Sequence, residues 1–261
     1  MPRADRSSAT RPERRPSRRR PPAPTTVLLV RHGATTTTGK ELPGRAPGLH
    51  LSDEGRRQAE AVAARIHDLA HPPAPAPAPA PPEGEEARGN GQTGGGGSRP
   101  RGPRITAVYA SPLERTRETA APIAAALGLD VLADEGLIEL DVGDWTGLEL
   151  KAAYKKKEWG TIQRYPSGFT FPGGESFVAM QSRMVATVDR LRAAHRGETI
   201  VAVSHADPIR ALVAHAMGAH LDLFQRVVVS PCSLTAIAYG EGGPVVLTVN
   251  ATDPRAALVP S

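Results

Sequence analysis

Four charged or titratable side chains lie just past apolar runs in this 261-residue chain. Arg31 and His32 follow TTVLLV (25–30), Arg115 comes one turn after RITAVYAS (104–111), and His205 closes ETIVAVSH (198–205). Burying a cation costs several kcal/mol unless an anion compensates it. Few carboxylates accompany these groups, so two arginines and two histidines gathered at one edge imply an anionic ligand. Phosphate is the natural candidate, because a guanidinium fork meets its oxygens in bidentate geometry. Helices that begin just after two of these runs add backbone N–H groups and a positive dipole end.

The elements that position these residues alternate. TTVLLV reads as a strand, and LSDEGRRQAEAVAARIHDLA as a helix capped by Ser52 with Asp53 and Glu54 in its first turn. RITAVYAS is the next strand, followed by a helix from Leu113 to Leu127 that Gly128 stops, with Pro122 kinking it or marking its first turn. A helix over Ser176–His195, the strand 198–205, the helix PIRALVAHAM and two closing strands, SLTAIAYG and PVVLTVNA, complete the order. The two last strands suggest a hairpin around Glu241-Gly242-Gly243. Strands alternating with helices predict an α/β fold, three layers α/β/α around a mostly parallel central sheet. Ligands in that architecture sit at the carboxyl ends of strands.

Composition separates the fold from its extensions. Residues 1–25 carry eight arginines against Asp5 and Glu13, a local charge of +6 out of a total of +5, so the rest of the chain stands at −1. The basic balance belongs to an arm over 1–24, read as disordered and Arg/Pro-rich, with weak contact to nucleic acid or an anionic surface as its electrostatic use. RRPSRRR resembles the start of a twin-arginine signal but lacks the apolar stretch behind it. A Pro/Ala- and Gly-rich segment over 71–103 reads as a disordered insertion within one domain spanning 25–252, and 253–261 as a tail. No apolar run is long enough to cross a membrane. Cys232 is the only cysteine, which excludes an intrachain disulfide and fits a reducing cytoplasm.

LLVRHGAT, Gly44-Arg45 with Gly48, SPLERTRETA, LIELDVGDWTGLE, PGGES and VSHADPIR resemble, in order and spacing, the histidine phosphatase superfamily in its phosphoglycerate-mutase-like branch. The resemblance runs from about Thr25 to Asn250 outside the insertion. It implies that His32 is a nucleophile phosphorylated on its ring, that Arg31 and Arg115 grip the phosphoryl oxygens, and that His205 supports charge on them. Glu139 matches the acid that protonates the leaving oxygen, with Asp141, two positions on, as the alternative donor. Arg45 matches a further basic residue near substrate or phosphate, and a loop salt bridge is its other reading. The resemblance implies no metal and no cofactor, and a small phosphorylated metabolite as substrate. Oligomeric state stays open.

The sequence also departs from the pattern. Relatives have Arg-His-Gly-Glu-Thr and then an Asn whose amide contacts phosphate; here Ala34, Thr35 and Thr38 stand at those places, and the Thr38 hydroxyl still offers one hydrogen bond. The segment after Glu139 is short for a glycolytic mutase, and an open pocket admits water to a phosphohistidine. That favours a phosphomonoester hydrolase over a phosphomutase. A nucleic-acid-associated or scaffold protein with a weak catalytic domain is the remaining alternative. Glu175 and Ser176 read as the start of a helix, and YKKKEW (154–159) as a solvated helix face.

Overall fold

A strand inside a parallel sheet is buried on both faces, and Val27, Leu28, Leu29 and Val30 are each at most 1% exposed. The computed structural model describes residues 22–72 and 102–252. The expected arm, insertion and tail lie outside the described residues, apart from 22–24, 71–72 and 102–103.

In chain order the strands are β1 (Thr25–Arg31), β2 (Glu41–Leu42), β3 (Ile105–Ala110), β4 (Val131–Ala133), β5 (Leu148–Glu149), β6 (Thr199–Ser204), β7 (Leu234–Gly240) and β8 (Gly243–Ala251). The helices are α1 (Asp53–Ala70), α2 (Glu114–Leu127), α3 (Leu150–Ala153), α4 (Trp159–Arg164), α5 (Phe177–Ala194) and α6 (Ala206–Ala216). The central sheet has the order β4-β3-β6-β1-β7-β8. Its first four strands are parallel, and β7 and β8 join antiparallel. β2 and β5 form a separate two-stranded ribbon.

Alternation along β1 divides the core. Leu28 and Val30 pack with Val62 and Ile66 of α1 and Ile123 of α2. Val27 and Leu29 face the other way, onto Met184, Val188 and Leu191 of α5 and Leu212 of α6. Successive strand side chains point to opposite faces, so the sheet is covered on both sides in three layers, as the sequence predicted. The four phenylalanines of the chain (Phe169, Phe171, Phe177 and Phe224) gather with Trp145 in a third cluster, under the segment that follows Glu139. Full burial of such a side chain is worth roughly 1.5–3 kcal/mol, which anchors a stretch otherwise poor in regular structure.

Several local expectations are corrected. Pro122 lies in the interior of α2, not in its first turn. Its ring removes one backbone hydrogen bond, and the helix continues because Ala120 and Ile123 are fully buried on either side. α6 starts at Ala206, two residues before Pro208, since a proline costs little where first-turn N–H groups lack helical partners anyway. Lys155–Lys157 form a turn between α3 and α4 rather than a helix face; Lys156 Nζ stands 5.1 Å from the centre of the Trp145 ring. β2, β4 and β5 have two or three residues each, too few for a periodic signal.

The expected Ser52 cap is present: its hydroxyl accepts from Gly55 N–H at 3.1 Å and donates to Ala34 C=O at 3.0 Å. This brings α1 against the loop after β1 so closely that a Cβ on Gly55 would fall 2.0 Å from the Ala34 oxygen. Gly55→Ala gains about 1 kcal/mol of helix propensity, but overpacking against backbone costs about 1–3 kcal/mol or more. The variant is expected to be net destabilised, with a lower urea midpoint at unchanged m-value. A midpoint at or above wild type would show that the contact is slack.

Candidate active site

The parallel pairing of β1 with β6 carries one residue past the strand end: His32 N–H donates to Ser204 C=O at 3.0 Å. His32 is 6% exposed, and its Nδ1 lies 2.7 Å from its neighbour's carbonyl, Gly33 C=O. A carbonyl only accepts, so Nδ1 carries the proton and Nε2 of the neutral ring holds the lone pair. Burial, then the charges of Arg115 and Arg31, hold the ring's pKa at about 3.

Arg115 projects from the first turn of α2 and is fully buried. Thr119, one turn later, accepts from Gly33 N–H at 3.0 Å and donates to Arg115 C=O at 2.7 Å, tying the helix to the His32 loop. Arg115 Nη2 donates to Gly44 C=O at 2.8 Å, while its Nε and Nη1 are buried without a partner. Arg31 is similar: Nη1 donates to Val229 C=O at 2.7 Å, and its buried Nε has no partner. Both guanidiniums are held below their ordinary pKa by burial. Unmade hydrogen bonds on buried cations are costly, and an anion between them would repair the deficit.

His205 is the first residue past β6 and caps α6. It is fully buried, with its ring centre 5.1 Å from that of His32 at 62°. Its Nε2 lies 2.9 Å from Ser111 Oγ at the end of β3, and its Nδ1 lies 3.7 Å from Glu139 Oε2. Burial, then the charges of His32 and the arginines, push it well below the ordinary histidine range. Glu139 Oε1 accepts from Leu140 N–H at 2.9 Å. Burial, reinforced by the Asp207 carboxylate, pushes the Glu139 carboxyl up to about 7.

The structure thus gathers Arg31, His32, Arg115, His205 and Glu139. The other candidates sit differently. Asp141 accepts from Gly143 N–H at 3.0 Å and lies 3.6 Å from Arg45, at the rim and not beside His205. Arg45 is engaged in protein contacts: its Nε donates to Glu139 C=O at 2.8 Å and its Nη2 to Glu175 Oε2 at 2.9 Å. Thr38 turns its hydroxyl back onto its own loop, accepting from Thr35 N–H at 2.8 Å and lying 3.0 Å from Thr35 Oγ1. Ser176 caps α5 as expected, but Glu175 binds Arg45 and Arg183 rather than complementing the helix terminus. Ser111 is one of the polar groups a strand end brings to this edge, with no role attached to it by sequence, and Arg183 is a residue that sequence reasoning misses. Ser111 had a signal, its place at a strand end; Arg183 had none, being one arginine among several on a helix. Among the described residues no cluster of three or more His, Cys, Asp or Glu side chains could hold a metal.

Residues 27–74 and 86–252 match the sequence profile of the histidine phosphatase superfamily (branch 1), and the chain belongs to that family. It is 34% identical over 233 residues to a bifunctional protein of Mycobacterium tuberculosis, covering 88% of this chain and 54% of that one. The chain therefore spans about half the length of that relative. It is 31% identical over 150 residues to phosphoserine phosphatase 1 of Hydrogenobacter thermophilus, covering 57% of this chain and 71% of that one. The fold is shared with a mycobacterial glucosyl-3-phosphoglycerate phosphatase, with a TM-score of 0.68 at 22% identity over 87% of this chain and 99% of that one.

Proposed function

We propose that this chain hydrolyses phosphomonoesters of a small metabolite through a phosphohistidine at His32. The observation that carries the reading is the pairing of a neutral His32, its proton fixed on Nδ1, with two buried guanidiniums whose hydrogen bonds are unmade. The Nε2 lone pair attacks phosphorus, and the bond to the leaving oxygen breaks. Glu139, protonated near neutral pH, gives its proton to that oxygen and releases the alcohol. Water then attacks the phosphohistidine, Glu139 takes a proton from it, and inorganic phosphate leaves. Arg31, Arg115 and His205 hold the phosphoryl oxygens, and the Gly33 carbonyl stabilises the positive ring formed on His32.

Of the two candidate donors, Glu139 is favoured by its place beside His205 and its raised pKa; Asp141 belongs to the Arg45 contact. Thr38 and Arg45 line the rim in this reading without gripping the phosphoryl group. The name of the Hydrogenobacter relative supports a small phosphorylated substrate. Cys232, the sole cysteine and a buried one, supports a reducing compartment such as the cytoplasm. No described helix is long and apolar enough to cross a membrane.

Incubation with a panel of phosphoserine, phosphoglycerates, sugar phosphates and nucleotides is expected to release inorganic phosphate from at least one of them. Accumulation of an isomeric phosphomonoester in place of phosphate would identify a mutase instead.

A further inference from the structure

The carboxyl of Glu139 sits on a strap, residues 135–141, that has one turn of 3₁₀ helix at Glu135–Leu137 and no strand pairing. Such a segment places a side chain only as well as its main chain is held. Ser204 Oγ donates to Leu137 C=O at 2.7 Å and Arg45 Nε to Glu139 C=O at 2.8 Å, and one guanidinium takes the carbonyls on either side of Leu137. Arg183, on α5, donates through Nη1 to Gly136 C=O at 2.8 Å and to Ile138 C=O at 2.9 Å. Its Nη2 reaches Glu139 C=O at 3.5 Å. Its orientation is set by Glu175, whose Oε1 and Oε2 accept from Nε at 3.1 Å and Nη2 at 3.0 Å, a paired fork.

Glu175 extends the arrangement. Its Oε2 also accepts from Arg45 Nη2, and Arg45 Nε donates to Glu139 C=O from the other side. Arg45 follows Gly44, whose carbonyl receives Arg115 Nη2. The clamp therefore connects the phosphate-gripping arginine to the acid-bearing strap. Apart from the Arg115 contact, all of these hydrogen bonds end on the main chain or on another clamp residue.

We infer that Arg183, oriented by Glu175, is a positioning residue that fixes the Glu139 carboxyl beside His205 and thereby sets leaving-group protonation. This rests on the reading of Glu139 as the acid. A misplacement of about 1 Å is worth about 10²-fold in rate, and a lysine cannot reproduce a fork that binds three carbonyls and a carboxylate together. In kcat/KM, which reports the first transfer and not the water step that Glu139 also serves, the loss must appear only where the leaving group needs a proton. Phenyl phosphate has a leaving group that needs one, whereas p-nitrophenyl phosphate has a leaving group that departs with little help.

The experiment compares Arg183→Lys and Glu175→Gln with wild type on both esters, alone and combined with Glu139→Gln. In the single variants kcat/KM on phenyl phosphate is expected to fall about 10-fold or more beyond any fall of kcat/KM on p-nitrophenyl phosphate. The alkaline limb of kcat/KM is expected to move to lower pH as the carboxyl becomes hydrated. In the Glu139→Gln background Arg183→Lys should add little on phenyl phosphate, because the group it positions is already gone. Equal losses of kcat/KM on both esters, or undiminished losses in the double variant, would reduce Arg183 to structural support and overturn the inference. Failure of the underlying reading would show separately, as Glu139→Gln itself losing kcat/KM equally on both esters.

Discussion

His32→Ala is expected to lose turnover of p-nitrophenyl phosphate by at least about 10⁴-fold, the scale on which a nucleophile acting within a coupled constellation matters. The other groups that surround the phosphoryl oxygens remain in this variant, so binding and chemistry separate. Inorganic phosphate should still raise the melting temperature of His32→Ala, because Arg31 Nε and Arg115 Nε and Nη1 keep their unmade hydrogen bonds. A ligand at a hundred times its Kd stabilises by about 2.7 kcal/mol. In wild type, rapid quench is expected to trap a phosphoryl group that survives alkali and is lost in acid, as a phosphorus–nitrogen bond is. Near-wild-type activity in His32→Ala would sink the phosphohistidine reading. With the ring's pKa at about 3, the nucleophile is neutral throughout the usual assay range, so the acid side of the profile should carry no limb from it above about pH 4.

Glu139→Gln carries the second large effect, and its size depends on the leaving group. General-acid assistance is worth about 10²–10⁴-fold, and the full loss is expected on alkyl phosphomonoesters. In kcat/KM p-nitrophenyl phosphate should lose far less, while the loss of the base for water attack appears in kcat on either kind of ester. The wild-type kcat/KM on alkyl esters should fall with rising pH through about 7, where the acid gives up its proton, and Glu139→Gln should lack that limb. The same carboxyl costs stability. Its folded pKa of about 7 exceeds the ordinary 4.5, so below pH 4.5 both states hold the proton and nothing is lost. As pH rises from 4.5 through 7, the unfolded state ionises first and stability falls, by about 3 kcal/mol in all. Glu139→Gln should therefore melt higher than wild type at pH 8, with a smaller difference at pH 4. A variant that melts lower at pH 8 would show that the carboxylate is not strained where it sits.

Both variants probe parts of the site that were legible to different degrees. His32, Arg31 and His205 could be read because they follow an apolar run directly, and Arg115 because it opens the helix one turn after another. A strand that must be buried leaves its last residue at the sheet edge, and the motif supplies the side-chain type. The layers were legible for the same reason, since continuous apolar runs and 3.6-residue spacing report burial locally. Glu139 was harder, because nothing within LIELDVGDWTG distinguishes its carboxyl from that of Asp141.

The sequence by itself determined the order of the long strands and helices, the residues at the strand ends and the family they resemble. The tertiary structure decided which carboxyl stands beside His205 and which guanidinium binds the main-chain carbonyls next to it. It also placed the side chains of Arg45 and Thr38 in hydrogen bonds with the protein's own loops. Those decisions rest on partners far apart in the chain: His205 with Glu139 and Ser111, Arg45 with Glu175, and Arg183 with the carbonyls of Gly136 and Ile138. Periodicity and capping report on neighbours three or four residues away. Contacts across dozens of residues exist only once the sheet and its two helical layers have closed.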